Sequence, residues 1–342
     1  MAFSDEQTML TLAFISDLGE TITGTDCGTE VQLCQNVRQH LASEPAVAGD
    51  WDLVWGPTVF KFPLIARHTD DVFYIAQNTS DRSRYVLALS STNPYELTDW
   101  LFEDFMVLNT TAWTYGVPPP GARISNSDAL SLAILLGVKP CYGIPGAGQT
   151  LMDFLTKTVA ASGGNVEVTV TGHSLGGALA ATAALLLADT QGPNVIGPNR
   201  WDPTNKAAVR AFCYAGPATG NSAWADYFDQ RLGANTRRIW NSLDVVPRVW
   251  NVHDMTAINS IYEPSIKTPF WTKTLVRLVS AAVADDCYEQ IQKKVLPLVG
   301  SVNVAMNTFI EQVIYQHIDA YFVLLGLPVP MVLLNKLRAA AR

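Results

Sequence analysis

Charge is scarce in this 342-residue chain: Asp, Glu, Lys and Arg make up 16% of it, against 48% apolar residues. That balance excludes a disordered polymer, which needs dense charge and little apolar surface to bury. Positive charge is the scarcer sign, with 23 Lys and Arg against 31 Asp and Glu and a net charge of -8. A chain so composed is poorly equipped to neutralise a phosphate backbone, so nucleic acid is not expected as a partner. No Gly-Lys-Ser/Thr closes a phosphate loop, no C-x-x-C pair occurs, and no His stands near a Cys at metal-ligand spacing; neither a metal nor an organic cofactor is expected. Internal repeats and low-complexity segments are also missing.

Uninterrupted apolar runs are lacking too. Val168 to Ala188 carries no charge, but Gly172-His173-Ser174-Leu175-Gly176-Gly177 divides it into a β-rich and an Ala/Leu-rich half. The stretches around Val295–Ile310 and Val323–Leu334 are broken by Pro297 or by Pro328 and Pro330, so each falls short of the ~20 residues a span requires. A soluble protein without a transmembrane segment is expected, with transient association to a lipid surface left open and a monomer assumed. The N-terminus has Asp5 and Glu6 where a secretory signal would have Lys or Arg. It predicts a cytoplasmic protein, or a secreted one if a signal has already been removed. The five cysteines (Cys27, Cys34, Cys141, Cys213, Cys287) are expected as buried thiols, with a Cys27–Cys34 bridge as the alternative.

Short β-like runs at 52–54, 72–77 and 85–89 are followed by others at 166–171, 208–214 and 236–240. Helical patterns lie at 6–14, 128–136, 151–161, 178–188 and 223–232. The polar cluster 78–83 predicts a turn and hence an antiparallel pair. Strands alternating with helices predict parallel crossovers in a sheet covered on both faces. The expectation is an α/β fold on one domain, 1–342, with a mostly parallel central sheet, an antiparallel pair near its start and a helical N-terminal extension over residues 1–50. The Gly- and Pro-rich stretches 117–121 and 139–150 read as surface connections.

Gly172-His173-Ser174-Leu175-Gly176 matches G-x-S-x-G with a strand before it and a helix after it, the context in which the motif means a nucleophile elbow. Glycines flank the serine because the turn leaves room for little else, and the Leu175 N–H at the helix start can face a developing oxyanion. A serine hydroxyl needs a base, and imidazole suits neutral pH. His173 sits inside the elbow and should point away from the serine. The chain order Ser, acid, His disfavours His40 and His68, which leaves His317 as the choice and His253 as the alternative. Asp244, after a β-like run and before Pro247, is the chosen acid; Asp202 and Asp226 are weaker candidates.

Taken together, four segments resemble the class 3 lipase family of α/β hydrolases, the group that includes filamentous fungal triacylglycerol lipases. They are the serine block 168–180, Gly216-Pro217-Ala218-Thr219-Gly220-Asn221, Asp244-Val245-Val246-Pro247, and His317 followed by Tyr321-Phe322 with one residue more than the family's spacing. The likeness covers about residues 70–325. It implies the α/β-hydrolase fold with Ser174, Asp244 and His317 as catalytic residues and Leu175 in the oxyanion hole. Ser90-Ser91-Thr92-Asn93-Pro94 stands where the family usually has Arg-Gly-Thr or Arg-Gly-Ser; the alignment gives the oxyanion hydroxyl to Thr92, with Ser91 as the competitor. A lid is implied over 93–104, with Tyr95, Leu97, Trp100, Leu101 and Phe102 as its apolar members. The implied activity is hydrolysis of acylglycerols or related acyl esters through an acyl-enzyme. Two alternatives are a phospholipase or acyltransferase using the same residues, and a non-catalytic binding module on the same fold.

Overall fold

The computed structural model describes residues 3–17, 26–60, 71–91 and 109–329. Helices α1 (Asp5–Ser16) and α2 (Cys27–Ser43) precede strands β1 (Trp51–Phe60), β2 (Asp71–Asn78) and β3 (Arg84–Ser91). Two short strands follow, β4 (Thr110–Ala112) and β5 (Arg123–Ser125), then helices α3 (Asn126–Gly137) and α4 (Leu151–Ser162). Next come β6 (Glu167–His173), α5 (Leu175–Asp189), β7 (Ala208–Tyr214), β8 (Gly220–Asn221), α6 (Ser222–Leu232) and β9 (Thr236–Ile239). The remainder holds α7 (Val252–Met255), α8 (Phe270–Ala282), β10 (Tyr288–Glu289), α9 (Phe309–His317) and α10 (Asp319–Leu324).

Six strands form the main sheet in the order β1-β2-β3-β6-β7-β9. The first three are antiparallel neighbours; β3, β6, β7 and β9 are parallel. The antiparallel part is thus one strand larger than expected, because β1 pairs with β2 as well. The turn between β2 and β3 is set by Asn78, whose side-chain oxygen accepts from the amides of Ser80 and Asp81 at 3.1 and 2.7 Å. Strands β4, β5, β8 and β10 make a second, smaller sheet.

Period-two alternation sends each strand's side chains to two cores. Phe73, Ile75, Leu87, Leu89, Val168, Val170 and Ala211 face α5 and its neighbours. Val72, Tyr74, Ala76, Val86, Ala88, Phe212 and Tyr214 face α1 and α10. Helix α1, capped by Ser4 and Gln7, is apolar on all sides because it is covered on all sides: Met9 to Ser16 are buried. The Ala-rich α5 is buried along nearly its whole length.

Cys27 is bridged to Cys141, with Cα atoms 5.5 Å apart, while Cys34 stays a buried free thiol. This overturns the expected free thiols at Cys27 and Cys141, and the alternative Cys27–Cys34 bridge with them. Cys27 and Cys34 both lie on α2, and seven positions along a helix is roughly 10 Å, beyond the reach of a disulfide. Cys213 is buried and free as expected, whereas Cys287 is free but exposed. Residues 93–104, with Tyr95, Leu97, Trp100, Leu101 and Phe102, lie outside the described residues, as does Thr92. Among the described residues no helix is long and apolar enough to cross a membrane.

Candidate active site

Ser174 stands between β6 and α5 with φ 58° and ψ -128°, a left-handed conformation costly for any residue with a Cβ. The neighbours that tolerate such a turn have no side chain. A Cβ on Gly172 would land on the carbonyl of Gly176, one on Gly176 on the carbonyl of Leu89, and one on Gly177 on the carbonyl of Tyr214. The glycines thus let α5 start directly against β3 and β7. Leu175 is the first helical residue, so its amide has no partner within the helix. Strand β3 runs parallel to β6 with Leu89 opposite Gly172, so its last residue, Ser91, ends beside this turn and leads into Thr92.

Three side chains far apart in sequence meet here. His317 Nε2 is 2.9 Å from Ser174 Oγ, and His317 Nδ1 is 2.9 and 3.1 Å from the Asp244 carboxylate oxygens. Asp244 and His317 are fully buried, and Ser174 is 6% exposed. A carboxylate only accepts, so Nδ1 carries the proton and Nε2 is left to accept from the serine hydroxyl. His317 closes helix α9, whose N-terminus is fixed by the Thr308–Glu311 capping box.

Several polar residues hold this chain in place. The second Asp244 oxygen accepts from the Val246 amide at 3.0 Å, and the first from the Tyr321 hydroxyl at 2.8 Å. Burial pushes the Tyr321 phenol well above its usual range, so it stays a donor. Asn241 donates its amide to Tyr321 at 3.0 Å and its side-chain nitrogen to the Gln316 carbonyl at 2.9 Å, while its oxygen accepts from Leu243 at 3.1 Å. One asparagine thereby ties the turn carrying the acid to the helix carrying the base. His173, expected to point into supporting structure, has Nε2 2.8 Å from the His317 carbonyl and its ring 4.5 Å from Phe14 and 4.6 Å from the His317 ring. Burial, reinforced by His317, holds its pKa well below the ordinary value, so it is a neutral donor to that carbonyl.

The other sequence candidates fall elsewhere. His253 is exposed on α7. Asp202 is buried but used up by the amides of Thr204, Asn205, Lys206 and Ala207 in its own turn. The Asp226 side chain is 72% exposed on α6. The contributions of Asn241, Gln316 and the Tyr321 hydroxyl were not foreseen from sequence. Tyr321 alone left a signal, as part of the His317…Tyr321-Phe322 segment that resembles the family's pattern.

A strand-turn-helix elbow on a mostly parallel sheet covered on both faces is the architecture of the α/β hydrolases, and comparison with known proteins agrees. The crystal structure of M37 lipase is 34% identical, with a TM-score of 0.87 over 95% of this chain and 93% of that one. The Lip2 lipase of Yarrowia lipolytica, 15% identical with a TM-score of 0.51 over 94% of this chain and 95% of that one, shares the fold. The family model for lipase (class 3) matches residues 131–253. The chain belongs to the class 3 lipase family. Among curated proteins it is similar to the secreted mono- and diacylglycerol lipase LIP4 of Malassezia restricta, 32% identical over 131 residues, or 37% of this chain and 39% of that one. It is also similar to the chloroplastic phospholipase A1-Igamma1 of Arabidopsis thaliana, 38% identical over 86 residues, or 25% of this chain and 15% of that one. The match therefore spans less than half the length of these curated relatives.

Proposed function

We propose that this protein hydrolyses carboxylic esters of acylglycerols or related lipids through an acyl-enzyme. The observation that carries the reading is the continuous hydrogen-bonded chain Ser174–His317–Asp244. In it, Ser174 Oγ attacks the ester carbonyl as His317 Nε2 takes its proton, and the tetrahedral oxyanion forms against the Leu175 amide and the Thr92 segment. His317 then passes the proton to the leaving alcohol. A water, deprotonated by the same imidazole, attacks the acyl-serine and releases the fatty acid. Asp244 keeps the imidazole in the required tautomer and stabilises its cation throughout, and none of these steps needs a metal or organic cofactor.

The test is a p-nitrophenyl ester series of increasing chain length, run below and above the aggregation limit of each substrate, with Ser174→Ala as control. Turnover that falls by at least about 10³ in the variant supports the reading; an unchanged rate removes Ser174 as nucleophile. Comparing Thr92→Ala with Ser91→Ala assigns the oxyanion hydroxyl, and the larger loss is expected at Thr92. A phospholipase is the second reading, favoured by the likeness to the Arabidopsis phospholipase A1; phospholipid against triacylglycerol hydrolysis separates the two. Acyl transfer to an added alcohol in preference to water would favour an acyltransferase. The Cys27–Cys141 bridge and the likeness to the secreted Malassezia lipase favour a setting outside the reducing cytosol.

A further inference from the structure

Helix α8 does not use its outer face. Thr272 and Val276 are buried, with Leu275 and Val279 partly so, while Phe270 is 85% and Leu278 58% exposed and Trp271 is half exposed. Lys273 and Arg277 lie exposed between these apolar residues, and exposed Lys267 precedes the helix. From residue 264 to residue 284 the chain has three cations and no carboxylate, in a protein whose net charge is -8. Glu263 lies 3.5 Å from Lys273, and Asp285 and Asp286 close the far end. Among the described residues, Lys267 and Arg277 have no carboxylate within ion-pair distance.

A second exposed apolar element follows. Leu296, Val299 and Val304 are between 83% and 92% exposed, and exposed Lys293 and Lys294 stand just before them. Lys293 is 3.9 Å from both Asp226 and Glu289. This loop is fixed rather than loose: the Leu298 amide donates to the Trp240 carbonyl at 2.8 Å, its carbonyl accepts from Ser242 at 2.9 Å, and Val302 packs in the same core as Val276 and Val279 of α8.

We propose that α8 and the 295–304 loop form a docking surface for an anionic lipid aggregate. Aromatic and aliphatic side chains interleaved with Lys and Arg are what a helix lying in a lipid interface presents: apolar groups enter the acyl boundary and cations meet the headgroups. A locally cationic face orients the approach of an otherwise acidic protein to an anionic surface. Trp271 lines a small apolar cavity, about 50 Å³, together with Val245 and Val249, just beyond Asp244, and Phe309 and Val313 of the helix that ends at His317. The helix resting on the lipid therefore packs directly on the segments that carry acid and base. The inference deepens the ester-hydrolase reading, and rests on it for why a lipid surface is the partner.

The experiment is co-sedimentation of the full chain with ether-linked vesicles, which cannot be hydrolysed, of pure phosphatidylcholine or of equal phosphatidylcholine and phosphatidylglycerol. Partitioning into the anionic vesicles is expected to be at least tenfold stronger and to fall with added salt. Lys267→Glu with Arg277→Glu is expected to remove at least tenfold of it, since each cation near such a surface is worth roughly fivefold. Phe270→Ser with Leu278→Ser is expected to weaken it likewise. Hydrolysis of a soluble short-chain ester, unchanged in both variants, shows that the fold is intact. Equal binding to the two vesicle types, no binding to either, or charge reversal without effect overturns the proposal, as does a concentration-dependent dimer that Phe270→Ser with Leu278→Ser abolishes. Vesicle binding without ester turnover would overturn the hydrolase reading and leave the surface standing; turnover without binding would do the reverse.

Discussion

The Tyr321 hydroxyl donates to the Asp244 carboxylate at 2.8 Å while accepting the Asn241 amide at 3.0 Å. One buried phenol thus joins the acid, the strand end before it and the helix after the base. A carboxylate that lies wholly out of water needs its lone pairs filled, and here the imidazole, the Val246 amide and the phenol fill them.

Replacing Tyr321 with Phe keeps the shape and removes the hydroxyl. It leaves the Asn241 amide without its acceptor and takes one donor from a buried anion, which is expected to cost about 1–3 kcal/mol of stability. Because Tyr321 acts on the geometry of the acid and not on substrate, kcat is expected to fall at least tenfold with KM nearly unchanged. Urea unfolding and steady-state kinetics on a soluble ester check both. A shift in KM alone would contradict the positioning role.

How much of this site could be read from the chain follows from what each residue needs. Ser174 was legible because its turn excludes side chains nearby, and that requirement leaves glycines in the sequence. Asp244 and His317 were legible through strand order and chain order. Asn241 and Gln316 were not, since an amide that bridges two elements carries no periodic or spacing signal and depends on a meeting of residues 75 apart. The disulfide shows the same limit. The chain suggested free thiols, with Cys27–Cys34 as the one short-range pairing to weigh, but helix α2 holds those two apart, while Cys141 approaches from a loop more than a hundred residues later.

That bridge closes a segment of sequence separation 114, and a cross-link of this span restricts the unfolded chain by as much as about 4–5 kcal/mol. Cys27→Ser is therefore expected to lower the unfolding free energy by about 3–5 kcal/mol. A reductant should destabilise the parent protein by the same amount and leave the variant unchanged. A reductant effect that persists in Cys27→Ser would point to some other thiol.

The contact between α5 and β3 makes a different demand. A Cβ at position 176 would meet the Leu89 carbonyl, which is held in the sheet and cannot yield as a side-chain tip could. Gly176→Ala must push the start of α5 away from β3, moving the Leu175 amide relative to Ser174. Overpacking of this kind is expected to cost about 3 kcal/mol, and ester turnover is expected to fall more than tenfold. Thermal unfolding and kcat/KM measure the two effects. A variant with parental values in both would show that the elbow has slack.

Asp319, two residues beyond the base, provides a pH signature that belongs to the fold. Burial raises its carboxyl from 3.8 to about 6, so the folded state binds a proton that the unfolded state, with a pKa near ~3.9, has already lost. The associated stability is complete below about pH 4, declines as pH rises, and is gone above about pH 6–7. A rise of this size is equivalent to at most about 3 kcal/mol. His173 acts in the opposite direction: its folded pKa is depressed, so its contribution is present above ~6.5 and lost as pH falls. The parent protein reports the sum of the two, which is why the difference between it and Asp319→Asn is the informative quantity. Urea unfolding across pH 4 to 8 should show the variant gaining on the parent by about 2–3 kcal/mol over that range, most of it between pH 4 and 6. A constant difference would mean that this carboxyl titrates alike in both states.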